Sequence, residues 1–166
     1  MGAKKRVRFD RAGPPGRCRP CRRVGRARRR DDRRGTSGVS RGLADTSLFI
    51  ARESGRKLQL EALPDELAVS IITIGELRAG VLVANTVESR ARRLGTLTAA
   101  LRLDPVPVDE TVAAEWARLR VLLRDTGQRM PVNDSWIAAT AMALDIPVVT
   151  QDDDFPDIEG LGVTRV

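Results

Sequence analysis

The sequence predicts an α/β domain, a parallel sheet covered by helices on both faces, and three observations carry that prediction. Short apolar runs at Leu43-Ala44, Leu67-Ala68-Val69-Ser70 and Pro147-Val148-Val149-Thr150 alternate with longer stretches of helical periodicity, and Val163-Thr164-Arg165-Val166 reads as a last strand. The first three runs are apolar on consecutive residues, the mark of strands buried on both sides. The helical stretches repeat their apolar residues at spacings of three and four. A chain of 166 residues suits one such domain with a remainder, and no internal repeat is present.

Each element has its own warrant. The first strand ends in Asp45-Thr46-Ser47, whose side chains suit helix capping, and a helix over 48–57 follows. Pro64-Asp65-Glu66 reads as a turn and helix start ahead of the second strand. From Ile71 to Ala84 the chain is apolar almost all round, which predicts a helix buried on most sides. A helix over 88–101 sets Leu94, Leu97 and Leu101 against a basic face. Pro105-Val106-Pro107-Val108 reads as a short strand that its prolines confine to an edge. Asp109-Glu110-Thr111 favours a helix start, and Val112, Trp116, Leu119 and Leu123 then mark core positions. Asn133 is a candidate cap for a last helix whose Trp136, Ile137, Thr140, Ala141 and Leu144 share one face. Phe155 to Ile158 reads as a short turn.

Charge divides the chain in two. Residues 1–42 hold sixteen Lys or Arg against three Asp, a net of +13, while 43–166 hold thirteen basic and nineteen acidic residues, a net of −6. The whole-chain value of +7 therefore describes neither part. Residues 1–42, rich in Arg, Gly and Pro without apolar periodicity, read as a disordered tail. Translation from Val39 is a second reading of that segment, which mass spectrometry of the natural amino terminus would decide. Cys18 and Cys21 are the only cysteines and the chain has no His, so at most half of a structural zinc site is present. No run of about eighteen apolar residues exists, nor a signal-peptide core, and the expectation is a cytoplasmic protein with no membrane partner.

Chemistry rests on the acids. Asp45 ends the first strand, Glu76 interrupts an apolar helix, Asp134 heads the last helix and Asp152-Asp153-Asp154 follows a late strand. Ligands in open parallel sheets bind beyond the carboxyl ends of the strands, and right-handed crossovers bring those ends to one edge. The acids are thereby expected to meet. Bland roles exist for three of them: Asp45 as a helix cap, Asp134 as a first-turn charge, the Asp152 run as a solvated turn. Glu76 resists that treatment, because Arg78 lies about 200° away around the helix and an unpaired carboxylate there costs several kcal/mol. Two carboxylates about 4 Å apart repel by roughly 4 kcal/mol at an effective dielectric of 20, so a cluster protonates, spreads apart or binds metal. With no His, no Tyr and only Lys57 beyond residue 5, side-chain acid–base catalysis is nearly excluded, and a hard divalent cation, Mg²⁺ or Mn²⁺, is left to activate water for phosphodiester hydrolysis.

Leu-Ala-Asp45-Thr-Ser, the Glu76-Leu-x-x-Gly80 helix, Asn133-Asp134-x-x-Ile-Ala-Ala and Thr150-x-Asp152-x-Asp154-Phe155 occur in the order found in PIN-domain ribonucleases, and residues 43–166 resemble the VapC toxins of toxin–antitoxin pairs. The resemblance implies a three-layer α/β/α sandwich with a mostly parallel sheet, Mg²⁺ or Mn²⁺ dependence, RNA as substrate, a homodimer and a VapB-like antitoxin. It implies Asp45, Glu76 and Asp134 as the first three acids, with Ser47 and Thr150 as supporting hydroxyls. Asp152 or Asp154 fills the fourth position, and Asp153 is expected to be solvated. RNA binding by an acidic domain needs a basic patch, from Arg90, Arg92 and Arg93, from Arg118, Arg120 and Arg124, or from Arg52 and Arg56. The competing class is a non-catalytic nucleic-acid binder working through the Arg-rich tail. A receiver-type phosphoacceptor would need a late lysine, and an aspartyl phosphatase would need an acid where Ser47 stands; both are absent.

Overall fold

The computed structural model describes residues 39–166. Residues 1–38, with the Cys18-x-x-Cys21 pair, lie outside them, whereas Arg41 and Gly42, expected at the end of the tail, begin the first strand. Four strands form one sheet in the order β2-β1-β3-β4, with β1 at Arg41–Ala44, β2 at Glu66–Val69, β3 at Val148–Thr150 and β4 at Val163–Arg165. Every strand pair is parallel. Five helices connect them: α1 Thr46–Ser54, α2 Ile71–Leu82, α3 Val87–Leu101, α4 Glu110–Asp125 and α5 Val132–Leu144. Among the described residues no helix is long and apolar enough to cross a membrane.

The two-residue period of a strand sorts the core into layers. Leu43 and Val148 face one way, into a cluster with Leu119, Leu123, Ile137 and Phe155, so α4 and α5 cover that face. Their neighbours Ala44 and Val149 face the other way, onto Leu48 of α1. Beside them Val69 packs with Ile74, Leu77 and Leu97 from α2 and α3. This is the three-layer α/β/α sandwich. At Gly42 the backbone of β1 runs so close to its surroundings that a Cβ would lie 2.5 Å from Val149 Cγ2 and 2.9 Å from Pro64 Cγ, so only glycine fits.

Helix ends follow local chemistry. Asp45, Ser70, Thr86 and Asp109 cap α1, α2, α3 and α4 by accepting backbone N–H bonds. Gly55 ends α1 in the left-handed conformation at φ 70°, two residues before the predicted end. Residues 105–108 form no strand: Val106 makes a single parallel bridge to Ser70 at the β2 edge, because flanking prolines donate no N–H.

Four expectations are corrected. Glu66 belongs to β2 and starts no helix; Asp65 instead accepts bonds from Ser40 N and Oγ, tying the turn to the start of β1. Asn133 does not cap α5, since it lies inside the helix after Pro131 and its amide turns to Glu76. Leu144, expected on the core face of α5, is exposed. The apolar α2 buries only Thr73, Ile74 and Leu77, leaving Ile71 and Leu82 exposed.

Candidate active site

Register builds the first half of the site. Ala44 pairs with Val149, so the residues that follow, Asp45 and Thr150, emerge side by side at the carboxyl edge of the sheet. Asp45 is buried, and its Oδ2 accepts hydrogen bonds from Ser47 Oγ at 2.7 Å, Thr150 Oγ1 at 3.0 Å and Ser47 N at 3.3 Å. Among the described residues Oδ1 accepts none. One oxygen is thus locked in place while the other is left to a ligand. The two hydroxyls are held in turn, Ser47 Oγ accepting from Gln151 N and Thr150 Oγ1 from Asp152 N, both at 3.0 Å. Asp45 is therefore both the cap of α1 and a member of the site.

The second half comes from α2 and α5. Glu76 lies six residues past Ser70, whose cap starts α2 at the end of β2. Its Oε2 accepts from Thr46 Oγ1 and its Oε1 from Asn133 Nδ2 at 2.7 Å. Thr46 and Asn133 each sit next to an acid, so these two bonds tie the start of α1 and the start of α5 to α2. α5 is fixed further by Trp116 of α4, which stacks on Trp136 at 4.4 Å and donates from Nε1 to Ser135 Oγ at 2.9 Å. Asp134 occupies the first turn of α5 between these anchors.

The acids act on one another electrostatically. Burial, then the charges of Asp45, Glu76, Asp154 and Asp152 in that order, push the Asp134 carboxyl up to about 7. Burial and the charges of Asp45 and Asp154 also raise Asp152, against a lowering effect of Arg56. Asp154 acts on Asp134 more strongly than Asp152 does. Asp153 turns outward, nearly fully exposed, and pairs with Arg165 Nε at 3.1 Å. Among the described residues no three acidic side chains close on one point at ligating distance. The acids relieve their repulsion in two of the ways open to such a cluster: they stand apart, and Asp134 holds a proton to near neutrality.

The chemistry of this donor set fits a hard divalent cation: carboxylate oxygens with hydroxyl and amide neighbours, and no imidazole or thiolate among them.

The arginines divide by position. Arg56 acts on Asp152 at the site. Arg93 pairs with Glu53 and donates to the Gly80 carbonyl, and Arg90 donates to the Ala84 carbonyl. Arg118 and Arg124 pair with Glu115 and Asp125 on their own helix, while Arg120 stands 5.8 Å over the Trp116 ring. Thr46, Asn133 and Gln151 are the contacts that sequence reasoning missed; their only signal was adjacency to an acid or to Thr150.

The PIN domain family model matches residues 43–161. Ribonuclease VapC5 of Mycobacterium tuberculosis (strain ATCC 25618 / H37Rv) is 49% identical over 125 residues, covering 75% of this chain and 93% of that protein. Ribonuclease VapC4 of the same strain is 48% identical over 124 residues, covering 73% and 95%. The solved structure of VapBC-5, a member of the VapBC family of toxin–antitoxin systems from Mycobacterium tuberculosis, superposes with a TM-score of 0.71 at 42% identity over 76% of this chain and 99% of that one. FitAcB from Neisseria gonorrhoeae superposes at 0.55 with 30% identity, covering 68% and 88%. Fold, acid order and sequence agree, and this chain belongs to the PIN-domain family, in its VapC branch.

Proposed function

We propose that this protein is a Mg²⁺- or Mn²⁺-dependent endoribonuclease, the toxin of a type II toxin–antitoxin pair, acting in the cytoplasm on RNA phosphodiester bonds. The observation that carries this reading is geometric. Asp45, one oxygen fixed by Ser47 and Thr150, lies at the carboxyl edge of the parallel sheet, and Glu76, both oxygens fixed by Thr46 and Asn133, stands beside it next to Asp134. The Asp134 carboxyl is raised by burial and then by the charges of Asp45, Glu76, Asp154 and Asp152. The names of the VapC relatives support ribonuclease activity, and the VapBC-5 structure supports a VapB-like antitoxin as partner. A homodimer is the assembly in this reading. Residues 43–166 are the nuclease domain and 1–42 an appended basic segment.

Asp45, Glu76 and Asp134 would hold the ion, with Asp152 or Asp154 completing the set. A bound divalent cation polarises a phosphate oxygen and lowers the pKa of water. The chain's own part is orientation. Ser47 and Thr150 fix one Asp45 oxygen, and Thr46 and Asn133 fix both oxygens of Glu76, so neither carboxylate must reorganise when the phosphate arrives. Asp134 would hold the ion as a carboxylate, and Arg56, whose charge already acts on Asp152, would bring positive charge toward a bound phosphate.

The test is cleavage of a defined RNA by the purified full chain with Mg²⁺, with Mn²⁺ and with EDTA, beside Asp45→Asn. Cleavage that needs the cation and drops at least a hundredfold in the variant supports the assignment. Equal cleavage in EDTA, or an Asp45→Asn variant as active as wild type, removes it.

A further inference from the structure

A cavity of about 310 Å³ opens between α1, α2 and α3, with Glu76 of the acid cluster on its lining. Thr46, Ile50 and Glu53 rise along the lining face of α1, while Glu76, Leu77 and Gly80 rise along that of α2, ending at its capping residue Val83. The two strips start together, where Thr46 bonds Glu76, and reach Arg93 of α3 at their far end, where its guanidinium donates to the Gly80 carbonyl. One end therefore lies at Glu76, the walls are apolar, and the other end is polar.

Gly80, singled out in the Glu76-Leu-x-x-Gly80 motif, plays no part in the acid cluster. It lies one turn, about 6 Å, along α2 from Glu76 on the same face. Glycine weakens a helix interior relative to alanine. Packing does not require it here, since a Cβ would meet only Arg93 Cδ, at an ordinary 3.9 Å. The glycine keeps space open beside Glu76. At the polar end Arg93 Nε lies 4.0 Å from Glu53 Oε1, too long for a hydrogen bond, so donor and acceptor both keep capacity for a ligand.

We propose that this cavity receives the nucleobase next to the scissile phosphate, and that Gly80, Glu53 and Arg93 determine which base is accepted; this rests on the ribonuclease reading. A base has flat apolar faces and an edge carrying donors and acceptors, and apolar walls ending in a guanidinium and a carboxylate complement it. Glu76 on the cavity lining places the occupant one nucleotide from the reaction. Unstacked bases of single-stranded RNA are the form available for such capture.

The experiment is digestion of an RNA pool carrying a randomised tract by the full chain with Mg²⁺ or Mn²⁺, with product ends mapped by sequencing. Wild type is expected to prefer particular bases at one position beside the cut. Glu53→Gln and Gly80→Leu are each expected to change that preference at least fivefold while preferences elsewhere stay within twofold. Gly80→Ala is expected to melt no lower than wild type and to shift the same position by less. Thermal melts verify folding of each variant, and Glu53→Gln carries the test if Gly80→Leu does not fold. An unchanged profile in folded, cleaving variants overturns the proposal. The same profile with weakened inhibition by the antitoxin assigns the cavity to an antitoxin side chain and overturns it equally. Absence of cleavage by wild type refutes the ribonuclease reading first, and this proposal with it.

Discussion

Replacing Asp134 by Asn should stabilise the protein at pH 8 in EDTA and do nothing of the kind at pH 4. The Asp134 carboxyl is pushed from 3.8 up to about 7, so the folded state holds its proton more tightly than the unfolded chain does. Wild type therefore loses stability as pH rises from about 4 to about 7, and the loss is complete above. Three pKa units correspond to a ceiling of about 4 kcal/mol at 1.36 kcal/mol each. Asp134 is only half buried, and solvent screening reduces this to roughly 1–2 kcal/mol. The ionised carboxylate recovers about 0.3–1 kcal/mol from the first turn of α5, which Asn forfeits. The net gain for Asp134→Asn is about 1 kcal/mol, or roughly 3–5 °C in Tm for a domain of this size. Thermal melts of both proteins at pH 4 and pH 8 in EDTA measure it. Saturating Mg²⁺ should then reverse the order at pH 8, because a cation that binds the ionised cluster stabilises wild type by mass action. A variant less stable than wild type by the same amount at both pH values would refute the reasoning, since Asp134 would then be acting as an ordinary helix-start charge.

Three further outcomes follow from the contacts. Asn133→Ala removes one of the two bonds that orient Glu76 and should lower cleavage roughly tenfold, with a melting temperature close to wild type, in an initial-rate assay against a fixed RNA. Gly42→Ala should destabilise by about 1–3 kcal/mol in denaturant titration, because its methyl would collide with Val149 and Pro64. Trp116→Phe keeps an aromatic ring against Trp136 but loses the donor to Ser135, and should cost about 1 kcal/mol with a loss of activity through the start of α5.

Order along the chain was enough for the four strands and five helices, because burial on both faces leaves consecutive apolar runs and helix covering leaves spacings of three and four, although it added a strand at 105–108 that the prolines prevent. Of the acids, Glu76 alone had no bland role along the chain; Asp45, Asp134 and the Asp152 run each had one, and Asp45 does cap α1. Where sequence reasoning failed, the deciding groups were distant. Asn133 reads as a cap until Glu76, 57 residues away, is seen to accept its amide. The all-round apolar pattern of α2 reads as burial until its exposed Ile71 and Leu82 are seen.

Composition and motif order by themselves determined the fold class, the acid inventory and the exclusion of imidazole and phenol chemistry. Tertiary structure alone decided that Asp45 presents one locked oxygen, that Asp134 keeps its proton to near neutrality, and that Gly80 opens a cavity beside Glu76. The reason is range. Propensity and periodicity act between neighbours along the chain, whereas hydrogen bonds and Coulomb repulsion act between whatever the folded sheet brings together.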